Sequence, residues 1–386
     1  MRRLGIYVQV PLCQSKCTYC NFHTGVFSRD LYAPYVDAVA REISEFPRLA
    51  REMGIGEIPE PVVDTVYVGG GTPSLLDPNS LRRILGAIRS SFPCDFEEVT
   101  LEADPETITP EKAAHWRESG FDRISMGAQS FDDRELKAAG RMHRREDIFN
   151  ATRMLREAAF PKVSADLIAG LPHQTDASWD HSVGELLALR PEHISIYLME
   201  IDEASRLGLE VLNGGTRYSA SALPSDDAMA GFYERACERL SAAGYGHYEI
   251  SNLALPGLES RHNLKYWRRE PYLGFGAGAH SFNGAQRWAN AHDPAAYAQA
   301  IARGGFPVEQ LERVTSEQAL GEELFLGLRQ LAGIDVAGIE AKYGTSLGPR
   351  VEELRSQGLL EWDGPRLRLA PGRLTVSNEV FVNLLD

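Results

Sequence analysis

The stretch LGIYVQVPLCQSKCTYC, Leu4 to Cys20, governs how the rest of the chain is read. Leu4 to Val10 is an apolar, strand-like run. Pro11 ends it, and Cys13, Cys17 and Cys20 follow at the spacing C-x3-C-x2-C. Three thiolates on one tight loop can hold three irons of a cubane cluster and leave the fourth iron open to an outside ligand. An open position is what separates a reactive metal site from a structural one. A second assignment stands beside it. His23 follows Cys20 by three residues, so Cys13, Cys17, Cys20 and His23 would also close a tetrahedral zinc site.

Outward from this stretch, apolar runs alternate with helical patterns. Thr65 to Gly69, Val99 to Glu102, Arg123 to Gly127, Val163 to Ile168 and His193 to Leu198 read as further strands. Between them, Tyr32, Val36, Val39, Ile43 and Phe46 recur at steps of three and four, as do Leu81, Ile84, Leu85 and Ile88. Six such units predict parallel βα repeats in an α/β fold, either a partial barrel or an open doubly wound sheet. In both, ligands sit at the carboxyl ends of the strands. The unusual residues fall there: Cys13 after strand one, Gly69-Gly70-Gly71-Thr72-Pro73 after strand two, and Glu102-Ala103-Asp104-Pro105 after strand three. Strand four leads to Gln129, and strand five carries Asp166 into Gly170-Leu171-Pro172. A cysteine loop at this mouth, opposite a glycine loop, favours the cluster over zinc. G-x-x-x-x-G-K is absent, which excludes a P-loop.

Beyond Leu198 the alternation fades into Gly-, aromatic- and His-rich sequence, and Gly304, Gly305 and Pro307 read as a linker. Glu317 to Leu331 reads as a helix with Leu320, Leu324, Leu328 and Leu331 on one face. A second helix runs from Pro349 towards Gly358, and Asp363-Gly364 marks a hairpin. Helices followed by a hairpin make a small winged-helix-like α+β domain. With 43% hydrophobic and 24% charged residues, the chain is neither disordered, collagen-like nor coiled coil. Forty Lys and Arg against 54 Asp and Glu leave a net charge of −14, which repels phosphate backbones. Five arginines and four acidic residues between Arg350 and Arg373 are too balanced for a duplex footprint, so a DNA-binding regulator is disfavoured. The densest basic group, Arg141, His143, Arg144 and Arg145, suits a solvated face or a small anionic ligand. No secretory or membrane-spanning segment is read, and five cysteines fit a reducing cytoplasm. Cys94 and Cys237 read as small buried hydrophobes.

The run from Tyr7 through Cys20, followed by Gly69-Gly70-Gly71-Thr72-Pro73, resembles the radical S-adenosylmethionine (SAM) superfamily. More closely it resembles the branch of oxygen-independent coproporphyrinogen III oxidases and HemW-type heme chaperones. The resemblance covers nearly the whole chain. It implies a partial (β/α)6 TIM-like barrel over residues 1–235, a connecting region over 236–304, and the winged-helix-like domain over 305–386. It also implies a 4Fe-4S cluster on Cys13, Cys17 and Cys20 whose open iron takes SAM. In the superfamily, an electron from the cluster cleaves SAM to methionine and a 5′-deoxyadenosyl radical. By motif match, Tyr7 and Tyr19 line the cofactor pocket. Gly70, Gly71 and Thr72 approach the methionine end, and Glu102, Gln129, Arg141 and Asp166 make polar contacts to SAM. Glu102 or Asp166 suits ribose hydroxyls, and Arg141 a carboxylate.

Two departures choose the branch. The oxidases continue C-x3-C-x2-C-x-C, whereas Phe22 stands at that last position here, and their long N-terminal arm has no counterpart before Tyr7. In the other direction, His262-Asn263-Leu264-Lys265-Tyr266-Trp267 matches the H-N-x-x-Y-W motif of the heme chaperones. The resemblance therefore implies a protein that binds heme and passes it to apo-proteins such as respiratory cytochromes or oxidases, in the cytoplasm and without nucleic acid. It leaves open peripheral membrane association through such a partner, and a homodimer. It also leaves open whether SAM is cleaved to drive heme release or the cluster serves only assembly. Radical decarboxylation of coproporphyrinogen propionates is the alternative, which Phe22 argues against. His262 is a candidate heme ligand because neutral imidazole suits heme iron. Its alternative is to pack with Tyr266 and Trp267 over the barrel, and His280 has no better claim.

Overall fold

The computed structural model describes residues 3–58 and 62–385. Six strands, β1 (Leu4–Val10), β2 (Val63–Gly70), β3 (Cys94–Ala103), β4 (Arg123–Gln129), β5 (Lys162–Ala169) and β6 (His193–Leu198), lie side by side in chain order. Each pairs in parallel with the next. Helices return the chain between them: α1 (Tyr32–Glu52), α2 (Pro78–Ser91), α3 (Pro110–Ser119), α4 (Asp133–Ala138), α5 (Arg145–Glu157) and α6 (Asp176–Leu189). The starts of several are written in the sequence. Asp77, Thr109 and Thr175 accept backbone N–H bonds at the N-caps, and proline opens α2 and α3. This is the partial (β/α)6 barrel that the family resemblance implied, one of the two folds the alternation allowed.

Strand periodicity sorts the side chains into two populations. Leu4, Ile6, Val8 and Val10, with Val66, Val68, Val99, Leu101, Ile124, Met126, Val163, Ala165, Ile194 and Ile196, join the helices in the main core. A fully buried Val, Leu or Ile contributes roughly 1.5–3 kcal/mol, so this layer dominates the stability. The alternate positions are polar or small and meet inside the barrel. Tyr7 stacks on Tyr67 at 6.0 Å, Tyr67 donates to Glu102 at 2.9 Å, and Ser164 bonds His193 at 2.7 Å. Tyr197, which alternates with the core residues Ile194 and Ile196 on β6, is 42% exposed.

After β6 come α7 (Arg206–Leu212) and α8 (Asp226–Ala242), and residue 235 falls inside α8. Beyond α8, where no strand pattern is readable from the sequence, the structure supplies six more strands of the same sheet. β7 (Gly246–Glu249) and β8 (Asn252–Ala254) add antiparallel beyond β6. After α9 (Arg261–Trp267), strand β9 (Tyr272–Phe275) adds parallel beyond β1. β10 (His280–Phe282), β11 (Gln286–Asn290) and β12 (Val308–Arg313) extend it antiparallel, with α10 (Pro294–Ala302) before β12. The run read as a linker is the turn between α10 and β12.

The C-terminal residues form α11 (Ser316–Leu328), α12 (Val336–Tyr343), α13 (Gly348–Ser356), the hairpin β13 (Leu360–Asp363) and β14 (Arg366–Leu369), and α14 (Ser377–Leu385). They enclose a separate core of Leu324, Leu328, Ile339, Val351, Leu354, Leu367 and Phe381, among others. This unit docks on β7 and α9. Ile250 N–H donates to the Arg329 carbonyl, Leu331 N–H to that of Tyr248, and the Arg329 guanidinium covers the Trp267 ring at 4.5 Å. One expectation needs correction: Cys94, the first residue of β3, is exposed rather than buried. Among the described residues, no helix is long and apolar enough to cross a membrane.

Candidate cofactor site at the barrel mouth

The cysteine loop is fixed to the end of β1 by backbone bonds. Cys13 N–H donates to the Gly25 carbonyl at 2.8 Å, and Gly25 N–H returns to that of Pro11 at 3.0 Å. Thr18 N–H bonds the Ala139 carbonyl, which ties the loop to the end of α4. The glycine loop after β2 lies directly against it: Gly71 N–H donates to Val10 and Thr72 N–H to Leu12, each at 2.8 Å. A Cβ on Gly71 would meet the Leu12 carbonyl oxygen at 2.7 Å and Cys13 Sγ at 2.8 Å. Gly70 has φ +117°, a backbone conformation that L side chains avoid. The triple glycine therefore serves a close approach of two loops at the cysteines.

The polar residues form one connected set around these loops. Thr72 Oγ1 donates to Asp104 at 3.1 Å. Arg141 pairs with the other oxygen of Asp104, donates to the Gly127 carbonyl at 3.0 Å, and reaches Cys17 Sγ at 3.4 Å. Glu102 accepts from Gly70 N–H at 2.8 Å and from Tyr67. Gln129 takes a left-handed φ of +64°, an uncommon conformation for a non-glycine residue, beside Gly127 and Arg141. Burial raises the Glu102 carboxyl, against the Gly70 and Tyr67 hydrogen bonds. Burial pushes Asp166 up to about 7, with Ser195 and Arg141 opposing and Glu102 adding. Cys13 is pushed up to about 11, again chiefly by burial. Tyr19 packs against a small apolar cluster that includes Ile168, Leu171, Met199 and Leu207, whereas Tyr7 donates to Gln9 at 2.6 Å.

These residues fit a polar ligand held against a metal cluster. Gln129 Oε1, Arg141 Nε and Asp166 Oδ1 are buried without a hydrogen-bond partner among the described residues, a costly arrangement unless a ligand completes it. Among the described residues, no three His, Cys, Asp or Glu side chains converge on one ion position, and His23 instead packs against His292 at 4.2 Å. A cubane spreads its thiolates over separate irons and does not ask for such convergence.

Residues 7–186 match the radical SAM superfamily, and residues 314–372 match the HemN C-terminal domain. The chain is 34% identical over 381 residues to the heme chaperone HemW of Bacillus subtilis, covering 97% of each chain. It is 33% identical to HemW of Escherichia coli over 72% of this chain and 69% of that one. The chain belongs to the HemW family of radical SAM proteins. It also shares 32% identity with bovine mitochondrial radical S-adenosyl methionine domain-containing protein 1, over its whole length and 88% of the relative. Among solved structures, coproporphyrinogen III oxidase (HemN) of E. coli superposes with a TM-score of 0.82 over 99% of this chain and 90% of its own, at 23% identity, and so shares the fold. Membership in the superfamily implies a 4Fe-4S cluster and SAM.

Within this HemW-family chain, one expected site residue moves away from chemistry. His262 is 1% exposed and sits at the amino ends of the strands, opposite the cysteine mouth. Its Nδ1 bonds Thr65 Oγ1 and its Nε2 the Tyr266 hydroxyl, each at 2.9 Å, while its N–H donates to Glu98 at 3.1 Å. With both ring nitrogens engaged and burial lowering its pKa to about 3, His262 offers no free nitrogen to heme iron. The H-N-x-x-Y-W segment is the barrel floor: His262 plugs it, and Trp267 receives the C-terminal unit. Sequence reasoning missed Asp104, the partner of Arg141, although Asp104 lies in the motif that ends strand three. It also missed Gln9 and Tyr67, which only strand alternation would have turned inward.

Proposed function

We propose that this protein binds heme and passes it to heme-dependent apo-proteins, respiratory cytochromes or oxidases among them, from a barrel that carries a 4Fe-4S cluster and SAM. The observation that carries this reading is the end-to-end similarity to relatives named heme chaperones. Phe22 supports it, since the oxidase pattern needs a fourth cysteine at that position. Cys13, Cys17 and Cys20 would hold the cluster, and bound SAM would supply radical chemistry through its sulfonium carbon–sulfur bond. The chain's own residues prepare that site. Gly70 and Gly71 let backbone approach the ligand, and Asp104 orients Arg141 next to Cys17. Glu102 and Asp166 would offer buried carboxyl oxygens to the ligand's hydroxyl groups, and Asp166 Oδ1 has no partner among the described residues.

The test is an anaerobic reaction of cluster-reconstituted protein with reductant, SAM and coproporphyrinogen III, run beside a hemin titration and transfer to an apo-cytochrome. Stoichiometric hemin uptake, transfer to the apo-protein and an unchanged porphyrinogen are expected. Carbon dioxide release from the porphyrinogen would make the protein an oxidase and end the carrier reading.

A further inference from the structure

Three imidazoles gather beside the cysteine loop. His23 follows the last cluster cysteine, His280 opens β10, and His292 lies just past β11. The His23 and His292 rings are 4.2 Å apart. His280 is near enough that both His292 and His23 add to the burial and Arg287 effects lowering its pKa. None of the three makes a side-chain hydrogen bond to the described residues, whereas the buried His143, His193 and His262 are bonded through a ring nitrogen. The Nδ1 of His292 is buried without a partner among the described residues. Gly278, at φ +72°, lies against it: a Cβ there would stand 3.1 Å from that nitrogen.

The loop that carries His23 also exposes apolar side chains, while His23 and His280 are themselves open to solvent. Phe22 and Val26, on either side of His23, are 68% and 62% exposed, among the largest apolar exposures in the molecule. Both side chains gain from apolar cover, because each leaves most of its surface in water. The loop is not slack, because Gly25 is bonded to Cys13 and Pro11. Lys16 lies near enough to oppose protonation of His23 and makes no salt bridge among the described residues.

We propose that His23, His280 and His292, with Phe22 and Val26, form a metalloporphyrin site beside the cluster loop, in which one of these imidazoles is the axial ligand. The proposal rests on the heme-carrier reading and assigns the ligand that His262 cannot supply. A flat macrocycle whose iron accepts an axial imidazole matches this set better than a bare ion does. Among the described residues no three donors converge on one ion position, whereas the exposed Phe22 and Val26 offer area to the ring face. Lys16 is placed to meet a propionate by a charge-assisted bond.

The experiment is a hemin titration of the full, cluster-reconstituted chain, read by the Soret band and by magnetic circular dichroism, which reports axial ligation. His23→Ala, His280→Ala, His292→Ala, their triple combination and Phe22→Ser are compared with the unaltered protein. The triple variant is expected to bind hemin about tenfold or more weakly and to lose the imidazole signature. Phe22→Ser should weaken binding while leaving the ligation spectrum in place. Iron and sulfide contents verify that the cysteine loop is intact. If His23→Ala disturbs that loop, His280→Ala and His292→Ala, on separate elements, still decide. An unchanged affinity and spectrum in the triple variant would overturn the proposal while the carrier reading stood. No hemin uptake by the unaltered protein would instead sink the carrier reading. A parallel Zn2+ titration closes the other route: stoichiometric zinc binding lost in the triple variant, with hemin binding intact, would make this a simple ion site.

Discussion

A single methyl group tests how the cofactor mouth is built. On Gly71 it would enter the space of the Leu12 carbonyl and Cys13 Sγ, neither of which can swing aside as the end of a long side chain could. Gly71→Ala should therefore displace the cysteine loop at a cost of about 1–3 kcal/mol. Iron and sulfide should fall well below the unaltered protein's content while far-ultraviolet circular dichroism is retained. Cys17→Ser should abolish the cluster outright, and a normal iron content in that variant would refute the cluster assignment. Asp104 gives a different signature. Its removal leaves the Arg141 guanidinium, almost fully buried, without its carboxylate. Asp104→Ala should cost about 1–3 kcal/mol in urea unfolding and weaken SAM binding by calorimetry. The sequence grouped Arg141, His143, Arg144 and Arg145 as one basic patch. The structure divides it: Arg141 turns to Asp104 and His143 to the Ala128 carbonyl, while Arg144 and Arg145 face solvent. Charge proximity along the chain does not reveal which side chains turn inward at a strand-to-helix turn.

At the level of elements, the six barrel strands were legible because each carries closely spaced Val, Ile, Leu or Met and is bounded by turn residues, and β1 and β6 begin and end where the pattern does. The sheet extensions were not. β7 to β11 are three to five residues long, too short for periodicity to declare, and their pairing depends on partners far away in the chain. Helix α9 was legible as a motif but not as a position. Its polar residues suggested ligand binding, yet they satisfy one another and the strand starts beneath: Lys265 pairs with Asp64 at 2.8 Å, and Glu98 accepts from the first turn of the helix. His262→Ala would orphan the Thr65 and Tyr266 hydroxyls and open a cavity, an expected loss of about 2–4 kcal/mol. The midpoint of urea unfolding should drop with little change in slope. The absorption spectrum of bound hemin should stay as it is, and an altered Soret band would return His262 to the ligand set.

For the whole molecule, one buried carboxyl group reinforces the join that β1–β9 pairing makes between the barrel and its extension. Glu42 of α1 accepts from the backbone of Gly276 at 2.9 Å, from Asn290 of β11 at 2.7 Å, and from Tyr297 of α10. Tyr35, on the same helix, bonds the Gln9 carbonyl and takes the Ala277 N–H. Burial pushes Glu42 up to about 7 from an ordinary 4.5, against the hydrogen bonds of Tyr297, Gly276 and Asn290. Between these two values the unfolded chain has released its proton and the native chain still holds it. The native state then binds more protons, so this group's contribution to stability falls as pH rises through the window and is level above it. By linkage the whole fall is roughly 3 kcal/mol. Glu42→Gln keeps the shape but cannot titrate. Its stability relative to the unaltered protein should therefore climb from pH 4.5 to 7 and then plateau, measured by urea unfolding at stepped pH. A difference that stays flat across that range would show that Glu42 is ionised in the native state throughout. The three donors would then outweigh its burial, and the joint would hold as a charge bound by hydrogen bonds rather than as a neutral acid.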